Sequence, residues 1–179
     1  TDVAPWRVQT SATISLANRR EEMSDLNLRI PGPVPLPEEV LEITGRQMIN
    51  HRGPEFAEII DRMTTNFKKV LGTQGRAYFL TASGTGSMEA AVVNTLSPGD
   101  RVLSVSIGSF GNRFGDIAEA YGAEVTRIEF EWGTAADPEK VRETIRSMPD
   151  CAAVVVTHNE SSTGVMNPIE AIARAVHDE

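Results

Sequence analysis

The stretch Tyr78-Phe-Leu-Thr-Ala-Ser-Gly-Thr-Gly-Ser-Met-Glu-Ala-Ala-Val92 begins with an apolar, strand-like segment and ends in a helix-like segment. Between them lies a loop of small hydroxyl residues and glycines. Backbone N–H groups at a helix start have no acceptor inside the helix, and the aligned peptide dipoles favour negative charge there. The stretch therefore predicts a strand, an anion-binding loop and a helix. The loop residues are Ser83, Gly84, Thr85, Gly86 and Ser87.

Strand-like and helix-like segments alternate from residue 77 onward. The predicted strands cover 77–82, 101–107, 124–129 and 152–157, and the predicted helices cover 86–96, 112–121, 137–147 and 167–177. Asp137 and Asn167, each followed by proline, are predicted helix caps. The alternation indicates an α/β fold, with a mostly parallel sheet and helices on both faces. Ligands bind such sheets at the carboxyl ends of the strands. We therefore expect the loops 83–87, 108–112 and 157–164 to gather at one edge.

The part of the chain before residue 76 has a different pattern. Four prolines in 30–37 predict a stiff, extended arm. Helices are predicted over 38–49 and 54–71, and the apolar residues of the second repeat at helical spacing, which predicts core packing. The expected organisation is an N-terminal extension over 1–28, an arm with helices over 29–75, and the start of a larger domain over 76–179.

Composition excludes several classes of protein. The 179 residues carry a net charge of −8 without a basic cluster, which argues against nucleic acid and anionic membranes as partners. No apolar segment approaches the roughly 18 residues of a membrane span. Cys151 is the single cysteine and lies in a predicted strand, so it is interpreted as a buried, inert thiol. These features predict a cytoplasmic protein.

Two further loops carry candidate binding residues. Glycines flank Phe110, so its ring is either core filler or a surface that stacks on a flat ligand. The loop Thr157-His-Asn-Glu-Ser-Ser-Thr-Gly164 follows an apolar strand, and such a density of polar side chains favours a ligand site because buried polar groups need partners. The first loop alone is a weak signal, since Glu89 replaces the third glycine of a dinucleotide motif. A simple strand-to-helix turn is the alternative there.

Five segments, in this order, resemble the class V aminotransferases, a branch of the fold-type-I enzymes that use pyridoxal 5′-phosphate. Within the family, the likeness is strongest to alanine–glyoxylate and serine–glyoxylate aminotransferases, and it covers the chain from about residue 28 to the end. The segments are Pro31-Gly-Pro33, Asn50-His-Arg-Gly-Pro-Glu-Phe56, Ser83-Gly-Thr-Gly86, Gly108-Ser-Phe-Gly-Asn-Arg113 and Thr157-His-Asn-Glu-Ser-Ser-Thr-Gly164.

The resemblance implies a role for each loop. Ser83 to Ser87 would hold the cofactor phosphate, chiefly through Thr85, Gly86 and Ser87. Phe110 would stack on the pyridine ring, and Ser161 would hydrogen-bond the cofactor near its phenolic oxygen. Thr157 and His158 would shape the pocket. His51 and Arg52, with Asn50, would lie near the active site of a neighbouring subunit, so a homodimer is expected. No metal site is implied.

The same resemblance implies catalytic residues that this sequence does not contain. The Schiff-base lysine and the aspartate that pairs with the pyridinium nitrogen would follow residue 179. Lys68, Lys69 and Lys140 are interpreted as surface charges. The resemblance also implies that strand 77–82 pairs with strands from the second half of the protein. We therefore expect an amino-terminal part that is inactive alone, completed by a second chain or by the rest of a longer protein.

The expected activity is transfer of an amino group from a small amino acid, such as alanine or serine, to a 2-oxo acid such as glyoxylate. A cysteine desulfurase or another lyase on the same fold is one alternative. A non-catalytic subunit that keeps the cofactor-binding fold is another, and a generic nucleotide-binding domain is a third. Release of sulfide from cysteine would distinguish the desulfurase. The non-catalytic subunit is distinguished by whether a partner chain brings a lysine to the site.

Overall fold

The structure is a computed structural model that describes residues 28–179. It contains two compact units, which divide between Ile49 and Asn50. In the first unit, the described residues 28–49 include one helix, α1 (Glu38–Thr44), which is shorter than the predicted helix over 38–49. Gly45 ends this helix. The predicted N-terminal extension lies outside the described residues except for Leu28.

The second unit, from residue 50 to residue 179, has an α/β fold. Its helices are α2 (Pro54–Leu71), α3 (Gly84–Thr95), α4 (Ser109–Ala120), α5 (Pro138–Arg146) and α6 (Ile169–His177). Its strands are β1 (Arg101–Ser106), β2 (Glu124–Glu129), β3 (Cys151–Val156), β4 (Asn159–Glu160) and β5 (Val165–Met166). The predicted strands near 101, 124 and 152 are confirmed within about one residue, and α2 has the predicted bounds.

The main sheet has three parallel strands in the order β2-β1-β3. Val102 of β1 is paired with Val125 of β2 and with Ala153 of β3. Five of the six β1 residues are buried, as expected for a central strand covered on both faces. A second, two-stranded sheet pairs β4 with β5 in antiparallel orientation. The prediction of a parallel α/β sheet is therefore confirmed.

Successive β1 side chains point to opposite faces, and each face has its own hydrophobic core. On one face, Leu103 and Val105 join buried residues of α5 and α6, including Val141 and Ile172. On the other face, Val102 packs with residues of α3 and α4. This arrangement places α3 and α4 on the same face of the sheet.

The segment 76–80 does not form a strand, and the prediction of a strand over 77–82 is wrong for this structure. Both edges of β1 are already paired, with β2 and β3, and no described strand pairs with this segment. Tyr78 and Leu80 are exposed. An apolar, strand-forming sequence becomes a strand only where another backbone accepts and donates its hydrogen bonds.

The apolar stripe of α2 is also exposed, so the prediction that it packs into a core is wrong here. Ile59, Met63 and Val70 are all exposed. One contact of the stripe is an edge-to-face pair in which the Phe67 and Phe79 ring centroids lie 5.2 Å apart. No helix in the described part of the chain has the length and hydrophobicity of a membrane span.

We predict that Gly115→Ala destabilises the fold, although alanine favours helices more than glycine does. A Cβ at Gly115 would lie 2.6 Å from Ser104 Oγ, on the buried strand β1. Such overpacking costs about 1–3 kcal/mol, measurable as a lower free energy of unfolding in urea. The matched control is Gly84→Ala, where a Cβ meets nothing within 4 Å. Equal stability of the two variants would contradict this close packing of α4 on β1.

Candidate functional site

The first element of the candidate site is the start of α3. Ser83 is the N-cap, and its Oγ accepts a hydrogen bond from the Gly86 N–H at 3.2 Å. The N–H groups of Gly84 and Thr85 have no acceptor inside the helix because they belong to its first turn. No acidic residue lies in that turn. The predicted loop–helix junction is therefore present, with the helix starting two residues earlier than predicted.

Arg113 connects this helix start with α4. Its Nη1 donates a hydrogen bond to Thr85 Oγ1 at 3.2 Å. The centre of the same guanidinium group lies 5.2 Å from the centroid of the Phe110 ring. None of the ion pairs among the described residues involves Arg113. An arginine without a protein carboxylate thus lies between the predicted phosphate loop and the predicted stacking residue.

Phe110 lies in the first turn of α4 and not in a loop, so the prediction of a loop over 108–112 is wrong. Two glycines permit the helix to begin this early. A Cβ at Gly108 would lie 2.5 Å from Ser162 Oγ, and one at Gly111 would lie 2.7 Å from Ser106 Oγ. The Phe110 side chain is therefore fixed by a helix, and it is half-buried.

The N–H groups at the start of α4 donate to a side chain of the third predicted loop, residues 157–164. Glu160, only 1% exposed, accepts hydrogen bonds from the Phe110 N–H at 3.1 Å and from the Gly111 N–H at 2.9 Å. It also accepts from the Ser162 N–H at 3.1 Å and from Ser162 Oγ at 2.6 Å. Ser162 Oγ in turn accepts from the Ser109 N–H at 3.0 Å. We call this set of contacts the Glu160 clamp.

The clamp keeps its carboxylate charged. Burial favours the neutral form and raises the pKa of Glu160, but the hydrogen bonds from Ser162, Gly111 and Phe110 outweigh burial. The net result is a pKa below the ordinary value of a glutamate. The start of α4 is therefore neutralised by a carboxylate of the chain itself, which suits the positive end of the helix dipole.

The third loop forms a hairpin between β4 and β5, which the sequence pattern did not predict. Gly164 adopts a left-handed φ of 73°, and its N–H donates to the Glu160 carbonyl at 2.8 Å. Ser161 and His158 are exposed on this hairpin and at its base. Thr157 Oγ1 is buried and has no hydrogen-bond partner among the described residues.

Asn167 has a different role from the predicted helix cap. Pro168 is the N-cap of α6, and no side chain caps that helix. The buried Asn167 side chain instead accepts from the Ala136 N–H at 2.9 Å and donates to the Thr157 carbonyl at 2.8 Å. It fixes the base of the hairpin, whereas Asp137 caps α5 as predicted, through the Glu139 N–H.

The remaining residues of interest are exposed. His51 and Arg52, predicted at a substrate site or interface, border an open groove with Phe56 and Ile60 at the start of α2. Lys69 donates to Asn66 Oδ1 on α2. Lys140, on α5, lies 5.1 Å from the centroid of the Phe130 ring. No cluster of three metal-ligating side chains occurs in residues 28–179.

The structure therefore brings the three predicted loops together, through Arg113–Thr85 and through Glu160–Phe110. Sequence reasoning missed the roles of Arg113 and Glu160. The sequence contains one signal for each of these two residues. For Glu160, the signal is that Gly108 has no side chain to cap α4, so the N–H groups at the start of α4 require an acceptor from elsewhere in the chain. For Arg113, the signal is that a basic residue near a helix start is unfavourable for the helix dipole, which indicates a separate contact or binding role for that side chain.

Comparisons with known proteins identify the family. Residues 39–179 match the family model "Aminotransferase class-V". The chain is 45% identical over 152 residues to "Soluble hydrogenase, small subunit" of Synechococcus sp. (strain PCC 6716), covering 83% of this chain and 39% of that protein. It is 39% identical over 153 residues to the serine–glyoxylate aminotransferase of Methylorubrum extorquens, covering 84% of this chain and 38% of the relative.

A solved structure gives the same result. The aspartate aminotransferase of subgroup IV from Thermus thermophilus superposes with a TM-score of 0.77 at 34% identity, over 83% of this chain and 41% of that one. The chain belongs to the class V aminotransferases and has the α/β fold of their fold-type-I relatives. It spans about two fifths of the length of the relatives it matches.

We predict that Glu160→Gln lowers the free energy of unfolding by about 2–3 kcal/mol near neutral pH, because buried N–H donors lose a charged acceptor. The pKa of Glu160 is depressed in the folded state, so its contribution is present above the unfolded-state pKa. It disappears as the pH falls through the folded-state pKa. Urea unfolding at about pH 7 and below about pH 4 measures the difference.

The matched control is Glu131→Gln, because Glu131 is exposed and outside the clamp. Its stability should follow that of the unsubstituted chain at every pH. If Glu160→Gln lowers the free energy of unfolding by the same amount at both pH values, the charge of Glu160 does not contribute to stability.

Proposed function

We propose that this chain is the part of a pyridoxal-phosphate-dependent aminotransferase that binds the cofactor phosphate and ring. The whole protein would transfer an amino group from a small amino acid, such as alanine or serine, to a 2-oxo acid such as glyoxylate. The observation that carries the proposal is the meeting of the α3 start, Phe110 and the β4–β5 hairpin at one edge of the sheet. Family membership supports the cofactor, and the serine–glyoxylate relative supports the substrate class.

The residues at this edge fit a phosphorylated pyridine. Two N–H groups of the first α3 turn and the hydroxyls of Thr85 and Ser87 suit phosphate oxygens. Arg113 adds a positive charge, and charge-assisted hydrogen bonds to phosphate are stronger than neutral ones. The half-buried Phe110 ring offers a flat apolar surface. The unpartnered Thr157 Oγ1 is a polar group that a ligand would satisfy.

Pyridoxal 5′-phosphate supplies the electron-withdrawing ring that makes amino transfer possible when it is bound. The residues of this chain would bind and orient it. Thr85, Gly86 and Ser87, capped by Ser83 and preceded by Gly84, would fix its phosphate. Phe110 would cover one face of the ring, and Ser161 and Thr157 would approach the other polar groups.

The proton-transferring amine is assigned to a residue outside this sequence. Lys68 and Lys69 lie in the last turn of α2, and Lys140, on α5, lies over the Phe130 ring, so none belongs to the elements that form the candidate site. A second chain, or further sequence of the same protein, would supply it. His51 and Arg52 would contribute to the substrate site or interface of a homodimer in the cytoplasm.

The activity is tested on the native protein that contains this sequence, purified with whatever chains accompany it. The proposal expects alanine or serine to be consumed with glyoxylate, giving glycine in equal amount. Release of sulfide from cysteine would favour a desulfurase instead. Binding of the cofactor without turnover of any amino acid would indicate a non-catalytic subunit.

We predict that Arg113→Gln weakens binding of pyridoxamine 5′-phosphate by about tenfold, because one charge-assisted contact to phosphate is lost. Binding of inorganic phosphate should weaken as well, and the loss should shrink at high salt. Fluorescence titration of the native protein that contains this sequence, freed of bound cofactor, measures the first affinity. Pyridoxamine 5′-phosphate is chosen because it has no aldehyde that reacts with surface lysines.

The control is Arg146→Gln, an exposed arginine on α5 that pairs with Glu179. It removes the same charge from a helix that packs on the other face of the sheet from α3 and α4. Equal losses for both variants would indicate a general charge effect and would contradict a phosphate contact by Arg113.

A further inference from the structure

We infer that Glu160 is a positioning residue for the cofactor ring, acting through the backbone of Phe110. This inference rests on the proposed function, because it concerns how the same site holds its ligand. Glu160 itself would not contact the reacting atoms. Its carboxylate would fix where the Phe110 ring lies relative to the start of α3.

The first step is the point at which the clamp acts. Glu160 accepts hydrogen bonds from the N–H of Phe110 and of the next residue, Gly111. The contact is therefore made with the backbone that carries the stacking ring. A shift of this carboxylate moves the Cα of Phe110 directly, without intermediate side chains.

The second step is that the clamp holds the whole first turn of α4. Ser162 donates its hydroxyl to Glu160 and accepts from the Ser109 N–H, so the N–H groups of three successive residues are held by one hairpin. Gly108 leaves no free space, because a Cβ there would lie 2.6 Å from Glu160 Cγ. The α4 start and the hairpin consequently form one rigid contact.

The third step connects the clamp with the phosphate end. Arg113, one turn further along α4, contacts both the Phe110 ring and Thr85 Oγ1. The position of the α4 first turn therefore sets the separation between the ring and the α3 start. A ligand with a phosphate and a ring needs both at a fixed separation, whereas free phosphate needs only the α3 start.

That difference makes the inference testable. The variants are Glu160→Gln, Phe110→Leu and their combination, made in the native protein that contains this sequence and freed of bound cofactor, with Glu131→Gln as the matched control. The two probes are pyridoxamine 5′-phosphate, followed by fluorescence and by the circular dichroism induced in its absorption band, and inorganic phosphate, followed by phosphorus NMR.

The expected result for Glu160→Gln is a loss of pyridoxamine 5′-phosphate affinity on the order of tenfold, with reduced induced circular dichroism. Inorganic phosphate should bind as before. Phe110→Leu should give a similar loss, and the double variant should lose little more than either single one, because both changes act on the same contact. Additive losses, or equal losses for the two probes, would overturn a role through Phe110.

Ser162→Ala provides a second variant in case Glu160→Gln unfolds the chain. Ser162 is exposed, and its hydroxyl donates to Glu160 at 2.6 Å. A smaller loss of pyridoxamine 5′-phosphate affinity with unchanged phosphate binding would support the inference, and no loss would overturn it. If the unsubstituted native protein, freed of bound cofactor, binds neither probe, the proposed function fails and this inference fails with it. If it binds both and every clamp variant equals it, only the inference fails.

Discussion

The arrangement of the candidate site depends on the burial of one carboxylate. Glu160 is 1% exposed, and a buried charge is costly unless donors surround it. Here the donors are supplied by the first turn of α4 and by Ser162. The hairpin and α4 must therefore stay in contact, since separating them would leave either the charge or the N–H groups without partners. The position of Phe110 follows from that requirement.

The same constraint explains the glycine at the start of α4. Any side chain at Gly108 would occupy the space of the Ser162 hydroxyl and the Glu160 side chain. The N-cap residue thus has no side chain to cap the helix, and the acceptor comes from a residue about fifty positions later in the chain. Local sequence and long-range contact are linked at this point, because the absence of one side chain makes room for another.

Much of the fold follows from local patterns. The strands β1, β2 and β3 and the helix α2 were predicted nearly to the residue, because alternation, helical spacing, proline and glycine act over a few positions. The start of α4 and the β4–β5 hairpin were not predicted, because both depend on Glu160 meeting a backbone distant in sequence. The same reason applies to segment 76–80, whose residues favour a strand but have no described strand beside them.

The three candidate loops were recognised from their composition, but their roles were only partly separated. The sequence predicts Ser83 to Ser87 and Phe110 as binding residues, whereas it marks Glu160 only as one more polar residue of its loop. The composition of a loop indicates that its polar groups need hydrogen-bond partners, but it does not indicate whether each partner is a protein group or a ligand. The hydrogen bonds of the structure distinguish Glu160, which is fully used inside the protein, from Thr157 Oγ1, which is not.

Two helix starts, those of α3 and α4, lie at this edge of the sheet, and both attract negative charge. Glu160 already neutralises α4. The first turn of α3 contains no acidic residue, its cap is the neutral Ser83, and Arg113 adds a positive charge at Thr85. An incoming anion is therefore favoured at α3 and not at α4. The buried carboxylate thus does more than hold the hairpin, because it neutralises one of two similar helix ends and leaves the other as the end that favours an anion.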